Sequence, residues 1–427
     1  MAIPVANLGR RIGELTNARI SERYAAVRAL TEILIEPLSA EDTCVQSMPD
    51  ASPAKWHLAH VTWFFETFVL EPHDPAFKPF HPAFRELFNS YYNSIGEQYP
   101  RMARGMITRP SLAEVIDYRH AVDERIGTAI ETADRDLLGI IELGLHHEQQ
   151  HQELLLMDIK HLLSLNPSYP SYRDCAQPEP RPLEPRQPVA FAGGLVEIGH
   201  DDFSFRFDNE TPRHKVWLEP FELESRPITN GEYLGFVESG CYELASLWLA
   251  DGWTKINDEG WRSPGYWRRR DGDWFEFTLG GLEPLDLNAP VCHVSHYEAD
   301  AFARWAGARL PSEFEWEAAV ADLKVEGNFM DSGFLHPRQS GDGSTKQLHQ
   351  AFGDVWEWTR SAYTPYPGFT TEKGAIGEYN GKFMSNQTIL KGGGCATPTG
   401  HSRASYRNFF YPHNRWQFSG IRLAHDA

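Results

Sequence analysis

The sequence lacks the features that would commit it to a membrane or to nucleic acid. A bilayer-spanning helix needs about 18 or more consecutive apolar residues, and no such run occurs. The N-terminal stretch MAIPVANLGRRIGELTNAR has no apolar core followed by a small-residue cleavage site, so a cytosolic protein is expected. Positive charge is scarce: 40 Lys and Arg stand against 59 Asp and Glu, a net charge of −19. Binding to phosphate backbones needs clustered cations, so no nucleic-acid partner is expected and a small molecule fits better. Cysteine is also sparse. Cys44, Cys175, Cys241, Cys292 and Cys395 are scattered with no CxxC pair, which argues against a cysteine zinc site or redox couple and for reduced thiols.

Aromatic residues are abundant, with 25 Phe, 16 Tyr and 13 Trp in 427 residues. A chain of that length can build two to three domains at about 150 residues each. The first 165 residues read as helices. Ile20, Tyr24, Val27 and Leu30 or Ile33 recur at helical spacing. Ser52 and Pro53 suit an N-cap and first position for a helix running to Leu70, with Trp56, His60, Trp63 and Thr67 on one face. Ser111 and Glu114 have capping-box spacing, and DRDLLGIIELGLHHEQQHQELLLMDIKHLLSL gives a fourth helix. Four such helices make a bundle, a scaffold that often holds metal between facing helices.

Residues 166–189 contain seven prolines, which exclude regular helix and mark a linker. Beyond it, LVEIGH, HKVWLEPFELES and TILKGGGC read as strands and SHYEADAFARWAGA as a helix. Residues 190–427 are therefore expected to form an α+β domain with much irregular loop.

His147 and His151 stand one turn apart on a stripe that includes Leu137, Ile140, Gly144 and Leu155, so both imidazoles should face the core. His60 occupies a similar aromatic stripe. Three such histidines converging would form a metal site, although each alone reads as readily as a satisfied core histidine. HEQQH also matches the HExxH of zinc proteases, with Glu148 as general base. Against that reading, position 154 is Leu where one large protease group needs Gly, and no further glutamate follows the helix until Glu179 in the linker.

SPAKWHLAH and HEQQHQE in the first half, and ITNGEYLGFV, PVCHVSHYEADAFARWAGARLPSEFEWEAA, FGDVWEWT and KGGGCATPTGHSRASYRNFF in the second, resemble the ergothioneine-biosynthetic sulfoxide synthases. The resemblance covers nearly the whole chain. It implies a DinB-like bundle over residues 1–165 joined to a formylglycine-generating-enzyme-like (C-type-lectin-like) domain over 190–427. It further implies Fe(II) on His60, His147 and His151, with hercynine (Nα-trimethylhistidine), cysteine and O2 as substrates. A true formylglycine-generating enzyme would use a thiol copper site, and no close cysteine pair is present. A thiol transferase on the DinB-like bundle is a further alternative, and a homo-oligomer is compatible with the sequence.

The resemblance also implies roles for single residues. Gln150 matches a position that hydrogen-bonds the substrate imidazole, and its amide could donate or accept. Asn408 is a candidate for the carboxylate or ammonium side of the substrate, while Phe409, Phe410 and Trp416 could offer ring faces to its trimethylammonium. Arg101 and Arg104 could bind the carboxylate of cysteine. Glu148 and Glu153 fall off the ligand stripe and are expected in outer or surface roles.

One departure concerns the catalytic tyrosine of mycobacterial-type members, whose position falls near Ala375 and Ile376. Tyr91 and Tyr92, in a loop between bundle helices, are the alternative source of a phenol, with Tyr92 preferred and Tyr379 next in line. Members that use γ-glutamylcysteine carry an acidic residue and an arginine where this chain has Phe410 and Asn414, with Arg415 one place away. Cysteine is therefore the expected donor and γ-glutamylcysteine the alternative.

Overall fold

Four long helices pack their apolar stripes together in the first half of the computed structural model, which describes residues 16–176, 183, 185–339, 347–371, 374–378 and 380–427. Tyr379, Glu179 and the rest of linker residues 177–182 lie outside the described residues. The helices are α1 (Asn17–Ile35), α2 (Ala54–Phe65), α3 (Leu112–Thr132) and α4 (Arg135–Ser164).

The buried stripe of α1 runs Ile20, Tyr24, Val27, Arg28, Thr31 and Leu34. Its last turn therefore buries Leu34 rather than Leu30 or Ile33, because Arg28 and Thr31 must meet the buried Glu148. The Ser111–Glu114 capping box opens α3 as expected, and Asp134 caps α4 through the Leu137 N–H.

α2 departs from its expected form. It starts without a side-chain cap, since Pro53 occupies the N-cap position and Ser52 is turned away: its N–H donates to Asp158 and its Oγ accepts from Arg104. Every residue from Ala54 to Phe65 is buried, so the helix has no solvent face. It then passes into a π turn over Glu66–Leu70, a local unwinding often found beside functional sites.

Residues 188–427 form an α+β domain of small sheets and irregular loops. One sheet pairs Pro188–Phe191, Phe221–Glu224 and Ala424–Asp426, closing the two ends of the domain on each other. Another has four strands in the spatial order Asn408–Phe410, Thr388–Lys391, Trp356–Ala362, Ser419–Gly420. The helix expected from SHYEADAFARWAGA is present at His296–Trp305, with a Ser295–Glu298 capping box.

The second domain docks on α4. Trp356 Nε1 and Thr397 Oγ1 donate to Glu153 at 2.6 and 2.8 Å. Trp416 Nε1 donates to Asp158 at 3.2 Å, and the fully buried Lys160 reaches His293 at 2.7 Å. Glu153 is thus a buried interdomain acceptor rather than a surface group, and loss of solvation pushes its carboxyl up to about 7. No helix among the described residues is long and apolar enough to cross a membrane.

Candidate metal centre

Gly144 lets α2 and α4 approach closely: a Cβ at this position would lie 2.5 Å from the Phe65 ring and 2.9 Å from that of Phe64. This approach brings His60 on α2 opposite His147 and His151 on α4. Their ligand-capable nitrogens lie within 4.8 Å of one another, and all three residues are buried.

Hydrogen bonds fix two of the three tautomers. His60 Nδ1 is 2.6 Å from the Phe88 carbonyl, which can only accept, so Nδ1 carries the hydrogen and Nε2 keeps its lone pair. That Nε2 is buried without a hydrogen-bond partner. His57 Nε2 lies 3.0 Å from Asp158 Oδ2 and its Nδ1 lies 2.8 Å from His151 Nδ1. The carboxylate accepts from His57 Nε2, so His57 Nδ1 offers its lone pair to the His151 Nδ1–H and His151 Nε2 is left to coordinate.

Burial pulls the His147 imidazole down to about 4. It holds His60 and His151 well below the ordinary value, with repulsion from neighbouring imidazoles adding to the effect. All three are therefore neutral at pH 7, the state a metal requires. Three convergent, neutral, buried imidazole nitrogens, one of them orphaned, suit a divalent first-row metal. This donor type accepts iron, zinc, copper or nickel.

Glu148 does not join them. Its oxygens accept from Arg28 Nη1 at 2.9 Å, from Arg119 and from Thr31 Oγ1 at 2.6 Å, in full burial. Although burial opposes ionisation, Arg119 and Arg28 hold the carboxyl below its usual range. It is a structural anion on the α1–α3 side of α4, so the protease-type general base is absent.

The other expected site residues divide into groups. Gln150 flanks the triad and reaches the Tyr406 hydroxyl at 2.8 Å. Trp416, tied to Asp158, packs edge-on against Phe410 with centroids 5.5 Å apart. Asn408 shares the Phe410 face of its strand by alternation. Phe409 points the other way, half-buried, and stacks on Tyr363 of its own domain at 4.2 Å.

Arg104 is buried with its guanidinium 3.4 Å from the centre of the Trp56 ring, which in turn stacks on His60 at 4.5 Å. Its terminal nitrogens donate to Ser52 and Ser90, and no carboxylate among the described residues is within ion-pair distance. Burial draws this cation down to about 10. Arg101 is exposed and donates to the Asp50 carbonyl.

The Tyr92 ring is buried against Trp63 and Phe68, with centroids 5.5 and 5.0 Å away. Tyr91 is half-buried beside Phe383. Burial would raise its phenol, but the Arg101, Arg104 and Lys382 cations and a Ser90 hydrogen bond bring it below the ordinary value. Ile376 packs, half-buried, against the core.

Sequence reading missed His57, Asp158 and Tyr406. His57 precedes His60 by three and Asp158 follows His151 by seven, so helical spacing alone placed both on the ligand stripe. Nothing in the sequence singled out Tyr406.

The DinB superfamily model matches residues 23–155, and the sulfatase-modifying factor enzyme 1-like domain matches residues 174–427. The fold is therefore the expected DinB-like bundle with a formylglycine-generating-enzyme-like domain. The chain is 32% identical over 410 residues to a hercynine oxygenase of Mycolicibacterium thermoresistibile, covering 89% of this chain and 88% of that one. It is 32% identical over 433 residues to a hercynine oxygenase of Mycobacterium tuberculosis, covering 94% and 97%. A formylglycine-generating enzyme of Streptomyces coelicolor is 27% identical over 310 residues, covering 60% of this chain and 96% of that enzyme.

Proposed function

This chain belongs to the hercynine oxygenase family of ergothioneine sulfoxide synthase type, and from that premise we propose that it is a non-haem iron(II) enzyme joining hercynine to cysteine with O2. The product is the hercynylcysteine sulfoxide. The observation that carries the reading is the buried triad of neutral His60, His147 and His151 beneath the second domain. Iron held by these imidazoles would supply O2 activation and keep positions open for substrates.

The chain's own residues divide the remaining work. Gln150, beside the triad, hydrogen-bonds the histidine-derived substrate, with Asn408 on its charged side. Phe410 and Trp416 offer ring faces to the trimethylammonium, a contact worth about 0.5–2 kcal/mol. Arg104, buried without a carboxylate partner among the described residues, takes the carboxylate of cysteine, with Arg101 at the entrance. Phe409, stacked on Tyr363, supports the strand rather than touching substrate. A phenol of the Tyr91–Tyr92 pair delivers a proton or hydrogen atom to oxygen. The substrate C–H and S–H bonds and oxidation of the sulfide provide every electron that O2 accepts, one oxygen leaving as water, so no external reductant enters.

Oxygen uptake by the iron-loaded protein tests this reading. Uptake requiring hercynine and cysteine together, with the sulfoxide found by mass spectrometry, is expected. His60→Ala, His147→Ala and His151→Ala should each lose iron and turnover. A protein that consumes no oxygen, or that transfers thiol anaerobically with zinc, would refute it. Full activity and iron in His60→Ala would refute the three-histidine site.

A further inference from the structure

A second polar chain crosses the domain boundary along α4. Arg23 on α1, paired through Nη1 with Glu142, places Nη2 3.1 Å from His146 Nε2. His146 Nδ1 lies 3.1 Å from His401 Nδ1, and His401 Nε2 lies 3.3 Å from the Tyr406 hydroxyl. That hydroxyl is 2.8 Å from the Gln150 amide, which turns Nε2 towards it. His146, His401 and Tyr406 are buried, and the far end of the amide, Oε1, is buried without a hydrogen-bond partner.

The polarity of this chain is set at its outer end. Arginine can only donate, so His146 Nε2 accepts, and a histidine accepting there carries its hydrogen on Nδ1. His146 then donates to His401 Nδ1, which puts the His401 hydrogen on Nε2 and directs it at the Tyr406 oxygen. Tyr406 is left with its own hydrogen to give, and among the described residues its hydroxyl has no neighbour in hydrogen-bond reach other than His401 and Gln150. An amide presenting Nε2 would donate to the phenol oxygen and leave the buried phenol hydrogen without an acceptor among the described residues. Turning it over is isosteric and satisfies both groups.

We propose that Tyr406 is a positioning residue that holds Gln150 with Oε1 on the phenol and the NH2 group towards the substrate. Gln150 is then an obligate donor to a substrate lone pair, belonging either to an unprotonated ring nitrogen or to a carboxylate oxygen. This rests on the reading that the site binds hercynine.

Anaerobic calorimetric titration of the iron-loaded full chain with hercynine tests the proposal. Gln150→Glu keeps an acceptor for Tyr406 but sets a carboxylate against the substrate lone pair. Its Kd should rise about 100-fold. Tyr406→Phe releases the amide, and both Kd and KM for hercynine should rise about three- to tenfold, with kcat and bound iron unchanged. Repeating the Gln150→Glu titration with trimethylhistamine, which lacks the carboxylate, separates the two sources. A penalty that persists assigns the ring nitrogen, and one that vanishes assigns the carboxylate.

Gln150→Glu binding as tightly as wild type would show that the amide accepts, and unchanged binding by Tyr406→Phe would remove its positioning role. Either result overturns this inference alone. Wild-type protein that does not bind hercynine overturns the functional reading, and this inference with it.

Discussion

His57 hands the Asp158 carboxylate to His151: its Nε2 lies 3.0 Å from Asp158 and its Nδ1 lies 2.8 Å from the His151 ring. Asp158 also accepts from Trp416 of the second domain, so the orientation of one imidazole of the triad depends on interdomain contact. His57→Ala and Asp158→Asn should each weaken metal binding about 10- to 100-fold without unfolding the bundle. Competition titration with a chromophoric chelator measures this, and wild-type affinity in both variants would contradict it.

The Tyr91–Tyr92 pair is expected to serve oxygen chemistry rather than packing alone. Tyr92→Phe and Tyr91→Phe remove one oxygen each and preserve the rings that meet Trp63, Phe68 and Phe383. At least one should lower sulfoxide formation tenfold or more, about 1.4 kcal/mol of transition-state stabilisation, while thermal stability stays level. If both single variants and the double variant make sulfoxide at the wild-type rate, the phenol comes from elsewhere.

Donor choice follows from which cations are free. Arg415 is engaged with Glu298 at 3.1 Å and lies over the Trp261 ring, so it cannot substitute for an arginine at position 414. A γ-glutamyl group would therefore lose a charge-assisted hydrogen bond worth about 1.5–3 kcal/mol. Cysteine should show a kcat/KM about one to two orders of magnitude above γ-glutamylcysteine at saturating hercynine. The reverse order refutes the assignment.

Glu148 should matter for folding and not for the chemistry. Glu148→Ala removes the carboxylate that Arg28 and Arg119 share and leaves Arg28 with Asp123 and Arg119 with Glu32 alone, and breaking such a buried pair costs about 3–5 kcal/mol. Urea unfolding of the metal-free protein is the appropriate measurement. A loss below about 1 kcal/mol would show that water or another anion replaces the carboxylate.

Much of this architecture was legible because its causes are local. His147 and His151 one turn apart and the Ser111 capping box act within a few residues. What escaped depends on tertiary contact. Ser52 looked like a helix cap, yet the Asp158 carboxylate and the Arg104 guanidinium compete for its groups. Glu148 and Glu153 looked like outer residues because a helical wheel does not show that α1 and the second domain cover those faces. Phe409 and Phe410 look alike in sequence, and only strand alternation sends one onto Tyr363 of its own domain and the other towards the bundle.

Glu153, Asp158 and Lys160, on the last turns of α4, all find partners in the second domain. A bundle cut away at the linker would expose or orphan a carboxylate, a histidine-orienting acid and a buried ammonium together. The two halves therefore cannot be treated as exchangeable modules, and calorimetry should record one melting transition rather than two.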